Sequence, residues 1–549
     1  MRLSELLRRV TPELPDFDPE ITFITDDSRK VKPGCAFVCI RGNHIDGHTL
    51  AAKAVESGAA AVIAQADTGL SCQVLVPDTR AAYSLMCEAL FHDPAQRLHL
   101  IGITGTNGKT TSAFLIKEIL DAAGYRTGLI GTVQNMAGDE VFPAQLTTPD
   151  PYELNELFQK MVTAGCTHCV MEVSSQALAQ QRVAGLRFDI ALFTNLTQDH
   201  LDYHGTFENY RAAKHKLFEQ AEQAVINFDD SSAAAMIEGT KSVVTTYSIR
   251  QDGADFTAKN VRDLPDCVEY ELVGSGMIGR VHLAFPAIFR CIILWAHCSA
   301  HEGGRSLSTS VGRLRAAKGV KGRIEVVPTN TDYTVIIDYA HSPDGLENIL
   351  SSLREIAHGG FSAYLAAEAT ATEPTPQNGS VVARLADVAV VTSDNPRSEE
   401  PEQIIADVLE GMREAPIPVH VEPDRTKAIR LAMRLAQKDD IVLLAGKGHE
   451  TYQVLKAGKI HYDEREIVAQ VLKELNKRFN REGRRLCCRF KSGKSRWPAR
   501  EKRMGKRKLQ AFVSIAGRSR KAACSSPSRG IASMGMISWR RPLRRVLRP

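Results

Sequence analysis

"GITGTNGKTTS" occupies Gly102–Ser112 and continues the apolar run "LHLIGITG", Leu98–Gly105. Directly behind it, "TTSAFLIKEILDAAG" places Leu115, Ile116, Ile119 and Leu120 on one face of a helix. A glycine-rich loop between a strand and a helix is a phosphate cradle. Its N–H groups converge on anionic oxygens, and the helix N-terminus adds partial positive charge. Gly105, Thr106, Asn107, Gly108, Lys109, Thr110 and Thr111 are therefore the expected ATP loop. Lys109 would reach the β- and γ-phosphates, and Thr110 would offer its hydroxyl to Mg²⁺. The spacing is unusual, because Ile103 stands where G-x-x-x-x-G-K-T has its first glycine.

Outward from this loop the pattern strand, loop, helix repeats. "HCVMEVSS" (from His168), "DIALFTNLT" (from Asp189) and "QAVINFDD" (from Gln223) are apolar runs without alternation, as in strands buried on both faces. "YTVIIDYAH", "DVAVVTSDNPR" and "DIVLLAGKGHE" repeat the form beyond Val326, and "CAFVCIRG" and "AAAVIAQ" give two strands before the loop. The class is α/β with mostly parallel sheets. The expected modules are 1–88, 89–325 and 326–476, followed by a tail, 477–549.

The 549 residues are 43% hydrophobic and 24% charged, ordinary for a soluble globular protein. No apolar run reaches the ~20 residues a membrane-spanning helix needs. "MRLSELLRRVTPEL" lacks a signal peptide's apolar centre, so a cytoplasmic protein is expected, with no membrane partner. Cys166 and Cys169 form a C-x-x-C with no second pair, and read as reduced core thiols. The net charge of +5 hides a division. From Lys477 onward there are 24 Lys and Arg against 2 Asp and Glu, whereas the rest has 45 against 62. Taken alone, the tail would suggest nucleic-acid binding.

Polar residues at strand ends supply the remaining chemistry. Glu172 and the Thr110 hydroxyl are oxygen donors of the kind Mg²⁺ takes. Asp199-His200 follows a strand, where His200 is a metal ligand or a structural residue in equal measure. Lys214, by pattern alone, is a solvated helix position. Asp394-Asn395-Pro396-Arg397 reads as a turn presenting Arg397, whose guanidinium suits a carboxylate.

"GTNGKTT", "TTP", "EVSSxALxQxR", "NLTQDHLDYHG" and "AAK" occur in this order and resemble the Mur ligases, covering nearly everything to about residue 475. The resemblance implies a three-domain fold with a P-loop central domain and a Rossmann-like C-terminal domain. It implies an ATP- and Mg²⁺-dependent amide ligase acting through an acyl phosphate, and a monomer. The branch resembled adds the third residue of the peptidoglycan stem peptide. Its substrates are UDP-MurNAc-L-Ala-D-Glu and, where D-N-P-R occurs, meso-diaminopimelate. Glu172 and His200 then match metal ligands, and Lys214 matches a carbamylated, metal-holding lysine. Thr147, Thr148, Ser174, Gln180 and Arg182 match residues gripping the muramoyl dipeptide; Ser28 and the segment His44, Ile45, Asp46 match the uridine-nucleotide site. Arg323 and Asp338 match nucleotide contacts. Asp394, Asn395, Pro396, Arg397, Gly446 and Glu450 match the diaminopimelate site. Gln176 departs from the family's histidine.

Periodicity fails in three places, and out-of-frame reading accounts for each. Codons compatible with Ala366–Pro374, read one nucleotide earlier, permit Gly-Cys-Gly-Gly-Asp-Arg-Asp-Arg-Thr, the family's loop. "TPQNG", shifted the other way, permits its completion. The stretch from Arg290 permits Val-Tyr-Asn-Ile-Leu-Gly-Ala-Leu, like the family helix that carries the adenine-side asparagine. Ser533–Pro542 permits Phe-Asp-Gly-His-Asp-Phe-Val-Ala-Glu-Ala, like the start of a neighbouring ligase. Segments 289–314, 365–378 and 477–549 are thus read as frameshifted, and Thr370 stands where the family loop has its diaminopimelate-binding arginine. The rival expectations are a folylpolyglutamate-type ligase and a catalytically dead product of a degraded ligase gene. A nucleic-acid binder rests only on the tail.

Overall fold

Strand His99–Thr104 lies at the middle of an eleven-stranded sheet, with Phe188–Phe193 on one side and His168–Glu172 on the other, both parallel to it. In this computed structural model the described residues are 1–475, apart from 43–44, 264–266, 275–276, 284–318, 358–359, 368–374 and 398. Beyond His168–Glu172 come Thr127–Ile130, Gln134–Ala137 and Glu140–Pro143. On the other flank lie Ala221–Asn227, Val243–Ser248, Phe256–Asp263, Val268–Gly274 and Met277–Leu283. The pairings from Thr127–Ile130 through Phe256–Asp263 are parallel, and the hairpins at both flanks are antiparallel.

Two layers of side chains cover this sheet. Leu115, Ile116 and Leu120 of helix Lys109–Ala123 pack with Ile101, Ile103, Leu192 and Val225 on one face, with Ile119 partly buried beside them. Phe158, Met161, Phe188, Leu217 and Phe218 fill the other. The helical spacing legible in the sequence is thus the packing face, and the unalternating strands are buried on both sides because helices cover both. Gly102 is required by closeness: a Cβ there would press on the Phe188 ring at 2.8 Å.

A four-stranded parallel sheet, Phe23–Thr25, Cys35–Val38, Ala59–Ala64 and Gln73–Leu75, precedes the central sheet. Helix Thr79–Leu90 links them, Ser84 Oγ donating to the Gln181 carbonyl at 2.6 Å. A six-stranded sheet follows, ordered Glu325–Val327, Thr334–Asp338, Ile441–Ala445, Phe361–Ala367, Val388–Ser393 and Val419–Val421, parallel except for its first strand. The α/β class with mostly parallel sheets is therefore what the chain adopts. Met1–Leu472 form one compact unit. Among the described residues no helix is long and apolar enough to cross a membrane. Cys166 and Cys169 are buried free thiols, as read from the sequence.

Of the stretches read as out of frame, 289–314 and 477–549 lie outside the described residues, as do 368–374. Within 365–378, strand Phe361–Ala367 pairs through Ala367 with Ser393, and Asn378 lies in helix Thr375–Leu385, its Nδ2 donating to the His341 carbonyl at 2.8 Å.

Leu115 is 2% exposed in this core. Leu115→Ala is expected to destabilise the central domain by about 2–5 kcal/mol, read as a lowered denaturant midpoint in the transition that buries helix Lys109–Ala123.

Candidate active site

The loop after the central strand is held by the loop after its neighbour. Thr106 N–H donates to the Asn195 carbonyl at 2.8 Å, and Asn107 N–H to Asn195 Oδ1 at 3.1 Å. Thr194 Oγ1 and Asn195 Nδ2 donate to the Asn107 carbonyl at 2.7 and 2.9 Å. Asn227 Nδ2, from a third strand end, donates to the Thr194 carbonyl at 2.7 Å. Gly105 and Gly108 have φ of +147° and +84°, and a Cβ on Gly105 would overlap the Thr194 hydroxyl. Gly105 is therefore required by backbone angle and by closeness together, and Gly108 by backbone angle.

Two lysines converge on one oxygen of this loop. Lys109 Nζ donates to the Gly105 and Thr106 carbonyls at 2.9 and 2.8 Å, and Lys214 Nζ donates to the same Gly105 carbonyl at 2.8 Å. Lys214 is 1% exposed and lies 4.6 Å from the centre of the Tyr210 ring, so the solvated position suggested by pattern is wrong. Helix Phe207–Glu219 packs Lys214 inward with Tyr210, Ala213, Leu217 and Phe218. Burial, and then the Lys109 charge, push the Lys214 ammonium well below the usual lysine range, against the pull of Asp199. Burial also lowers Lys109, with Glu172 and Asp199 opposing.

Beside the loop, Thr110 Oγ1 donates to Glu172 Oε2 at 3.0 Å. Thr132 also holds this carboxylate, through its N–H at 2.9 Å and its hydroxyl at 3.0 Å. The Thr110–Glu172 oxygen pair fits a Mg²⁺ ion that keeps several waters and takes phosphate oxygens as its other ligands. Lys214 as an ammonium does not fit such an ion; a carboxylate on its nitrogen would. His200 has φ +52° and a half-exposed ring, with Nε2 3.6 Å from Asp199 Oδ2.

The residues expected to grip the muramoyl dipeptide form one bonded cluster. Thr148 Oγ1 donates to the Glu172 carbonyl at 2.9 Å and accepts the Ser174 N–H at 3.0 Å. Arg182 donates to the Thr148 carbonyl at 2.8 Å and to Gln180 Oε1 at 2.7 Å. Thr147 Oγ1 lies 3.1 Å from Thr132 Oγ1. Ser28 opens a short turn, Ser28–Lys30, flanked by Asp26, whose carboxyl is raised by burial and by Asp150 of the central domain. Ile45 is exposed, and Asp46 accepts the His48 N–H at 3.0 Å; His44 is outside the described residues. Nothing in the structure explains glutamine at 176.

In the third sheet, Asp338 accepts the N–H groups of Ile324 at 2.8 Å and Ala340 at 2.7 Å, and burial raises its carboxyl. It thereby ties the interdomain segment to the sheet. Arg323 stacks 4.9 Å above the Tyr339 ring and is near enough to lower Lys109. Gly446, φ +115°, donates its N–H to the Asp338 carbonyl at 3.0 Å. Asp394, Asn395 and Pro396 are buried, while Arg397 is exposed with φ +51°. Asn395 Nδ2 donates to Glu450 Oε2 at 3.2 Å. The turn thus presents Arg397, and its other polar side chains are engaged inside the domain.

Sequence reasoning missed Thr132, Thr194, Asn195, Tyr210, Asn227 and Lys447. Thr132, Thr194, Asn195, Asn227 and Lys447 stand at or just past strand ends, a signal available in the pattern; Tyr210 carried none.

Three family descriptions match: "Mur ligase family, catalytic domain" over 20–86, "Mur ligase middle domain" over 103–291, and "Mur ligase, glutamate ligase domain" over 322–448. The chain is 40% identical over 494 residues to the UDP-N-acetylmuramoyl-L-alanyl-D-glutamate--2,6-diaminopimelate ligase of Clostridium perfringens (strain 13 / Type A), covering 86% of this chain and 99% of that one. The chain belongs to the Mur ligase family. It is 42% identical over 486 residues to the ligase of the same name from Caldanaerobacter subterraneus subsp. tengcongensis, with 87% and 100% covered. A solved structure titled as that ligase superposes with a TM-score of 0.61 at 30% identity, covering 83% of this chain and 95% of that one. The folylpolyglutamate synthase of Mycobacterium tuberculosis, at 18% identity and a TM-score of 0.55, shares the fold.

Because the folded Lys214 pKa lies below the unfolded one, the unfolded chain binds the extra proton between the two values, and stability rises with pH across that window. Lys214→Met is expected to flatten the rise of melting temperature as pH climbs toward the ordinary lysine value of about 10, measured on both proteins in one buffer series.

Proposed function

We propose that this Mur ligase joins meso-diaminopimelate to UDP-MurNAc-L-Ala-D-Glu. The observation that carries the reading is the gathering, at one sheet edge, of the ATP loop, the Thr110–Glu172 pair and the Thr148–Ser174–Gln180–Arg182 cluster. The names of the relatives support the substrates. The folylpolyglutamate alternative shares the fold, but the relatives at about 40% identity carry the other name.

In this reading the loop N–H groups and Lys109 hold the nucleotide's phosphates. They offset the charge that spreads over the transferring phosphoryl group. The D-Glu γ-carboxylate takes the γ-phosphoryl group, giving an acyl phosphate and ADP. The meso-diaminopimelate amine then attacks the acyl carbon, phosphate leaves with the bonding pair, and the amine proton passes to solvent. Arg182 and Gln180 orient the peptide end, and Ser28 and the His44–Asp46 segment hold the uridine nucleotide. Thr110, Glu172, His200 and, once carbamylated, Lys214 would hold Mg²⁺, which would supply further charge neutralisation. Carbamylation needs a neutral amine: the Lys214 nitrogen adds CO₂ and releases one proton, and the depressed basicity supports that chemistry. Arg397 and Glu450 meet the far end of meso-diaminopimelate. A cytoplasmic, monomeric enzyme with no nucleic-acid partner agrees with this reading, in which the basic tail has no role.

The frameshifted stretches bear on rate. Thr370 cannot form the bidentate pair that an arginine makes with a carboxylate. The chain as written is expected to be a poor ligase or the dead product of a degraded gene. Its relatives are matched over nearly their whole length by about six-sevenths of it, a share close in size to the chain without its tail.

Two outcomes check this. A chain with Arg290–Leu314 and Ala366–Asn378 restored to the shifted frame should ligate at least about tenfold faster than the chain as written, and use meso-diaminopimelate in preference to L-lysine. Equal rates would mean that these stretches are native sequence, and better use of lysine would sink the Asp394–Arg397 reading. In the restored chain, Lys109→Ala or Glu172→Ala should lower kcat by about 10²–10³-fold or more while UDP-MurNAc-dipeptide binding, followed by calorimetry, survives. Near-normal turnover in Lys109→Ala would remove the phosphate-site assignment.

A further inference from the structure

Lys447 is fully buried in the C-terminal domain. Its ammonium lies 2.8 Å from Asp394 Oδ1 and donates to Asn395 Oδ1 and Glu450 Oε2, each at 3.1 Å. Asn395 closes the ring by donating to the same Glu450 oxygen. Behind it, Arg425, 2% exposed, stands 3.6 Å from Asp394 and 2.7 Å from Glu464. A buried ionic cluster of this kind is a poor way to gain stability, because apolar side chains of similar volume do as well without the desolvation cost. Its distinctive property is directional: each charge fixes where its partners stand.

What it fixes is the distance between two loops. The turn Asp394–Arg397 is bonded to strand Tyr452–Leu455, with Val454 N–H donating to Asn395 Oδ1 at 3.0 Å and Arg397 N–H to the Val454 carbonyl at 3.1 Å. Loop Gly446–Glu450 is bonded to the end of strand Thr334–Asp338 through Gly446 and Asp338. Between turn and loop the contact is made by Lys447, Asn395, Asp394 and Glu450. On the outer side, Arg397 is exposed, and Glu450 has its second oxygen, Oε1, 3.5 Å from the Tyr452 hydroxyl. A guanidinium and a carboxylate are thus presented from two loops whose separation is set on one side by the bonds to strand Tyr452–Leu455 and on the buried side by Lys447.

We propose that Lys447 is a positioning residue. It holds Arg397 and Glu450 at the spacing that selects an amino acid whose far end carries both a carboxylate and an ammonium over one ending in an ammonium alone. This rests on the reading that the site takes meso-diaminopimelate. Arg397 takes the far carboxylate, Glu450 the far ammonium, and neither contact can be optimised alone once the two loops are free to move.

The test compares Lys447→Met with the parent. Both are made in the restored chain, whose loop carries the arginine that Thr370 replaces: calorimetry measures meso-diaminopimelate and L-lysine binding, and steady-state kinetics give KM and kcat. The expected result is a rise of about tenfold or more in Kd and KM for meso-diaminopimelate, an unchanged KM for ATP, a kcat altered less than about threefold, and loss of most of the preference over lysine. Lys447→Met leaves Asp394 buried without its closest cation, so the double variant Lys447→Met/Asp394→Asn is measured beside it. Recovery of its melting temperature without recovery of the preference supports the positioning role. An unchanged preference in either folded variant overturns it, as does a uniform fall of kcat with all KM values retained. A restored parent that does not use meso-diaminopimelate overturns the functional reading, and this proposal with it.

Discussion

Two lysine ammonium groups share the Gly105 carbonyl, and the organisation of the central domain follows from making that tolerable. Like charges so close disfavour each other, and burial adds to the penalty. The pair is relieved by an anion arriving in the loop, or by one lysine giving up its charge. Lys214, the deeper of the two, is the one whose basicity falls further. Two such groups side by side favour an anion beside them and lower the basicity of the buried lysine. The cost is met by the packing around it: Tyr210 beneath Lys214, and Thr194 and Asn195 locking the loop from the next strand.

The same edge of the sheet explains why distant sequence segments cooperate. Glu172, Thr132, Thr194 and the loop Gly105–Gly108 all stand at or just past the C-terminal ends of parallel strands. In such sheets those ends converge beside the point where the chain changes direction across the sheet. Thr148 bonds both to the Glu172 backbone and to Ser174, so the strand end that carries Glu172 is tied to the start of the segment that carries Ser174. In the third sheet, loop Gly446–Glu450 has a similar double duty. Its Glu450 faces the Asp394 turn, while Gly448 packs against Gly322 and Tyr339 beside Arg323. A Cβ at Gly322 would collide with that loop, so the interdomain segment and the amino-acid side of the site are in direct contact.

Much of this was legible in the residues. The loop, its helix face and the strand runs were readable because each is a local pattern, and Glu172 was readable because it ends a buried run. Lys214 was misread by pattern: a lysine on an amphipathic helix is ordinarily solvated, and only packing against the central sheet turns it inward. Asp394–Arg397 was read as a turn presenting Arg397, and Arg397 alone of the turn is exposed, with the Asp394 and Asn395 side chains engaged inside the domain.

The sequence by itself determined the α/β class, the phosphate loop and the family, because periodicity, glycine placement and motif order are properties of the chain read in one dimension. It also located the places where periodicity fails, since periodicity is a property of the chain read in order. The tertiary structure alone decided which charges meet. Lys109 and Lys214 are 105 positions apart, and Lys447 reaches Asp394 across 53. Such pairings depend on how strands are ordered within a sheet, and no local spacing encodes that order.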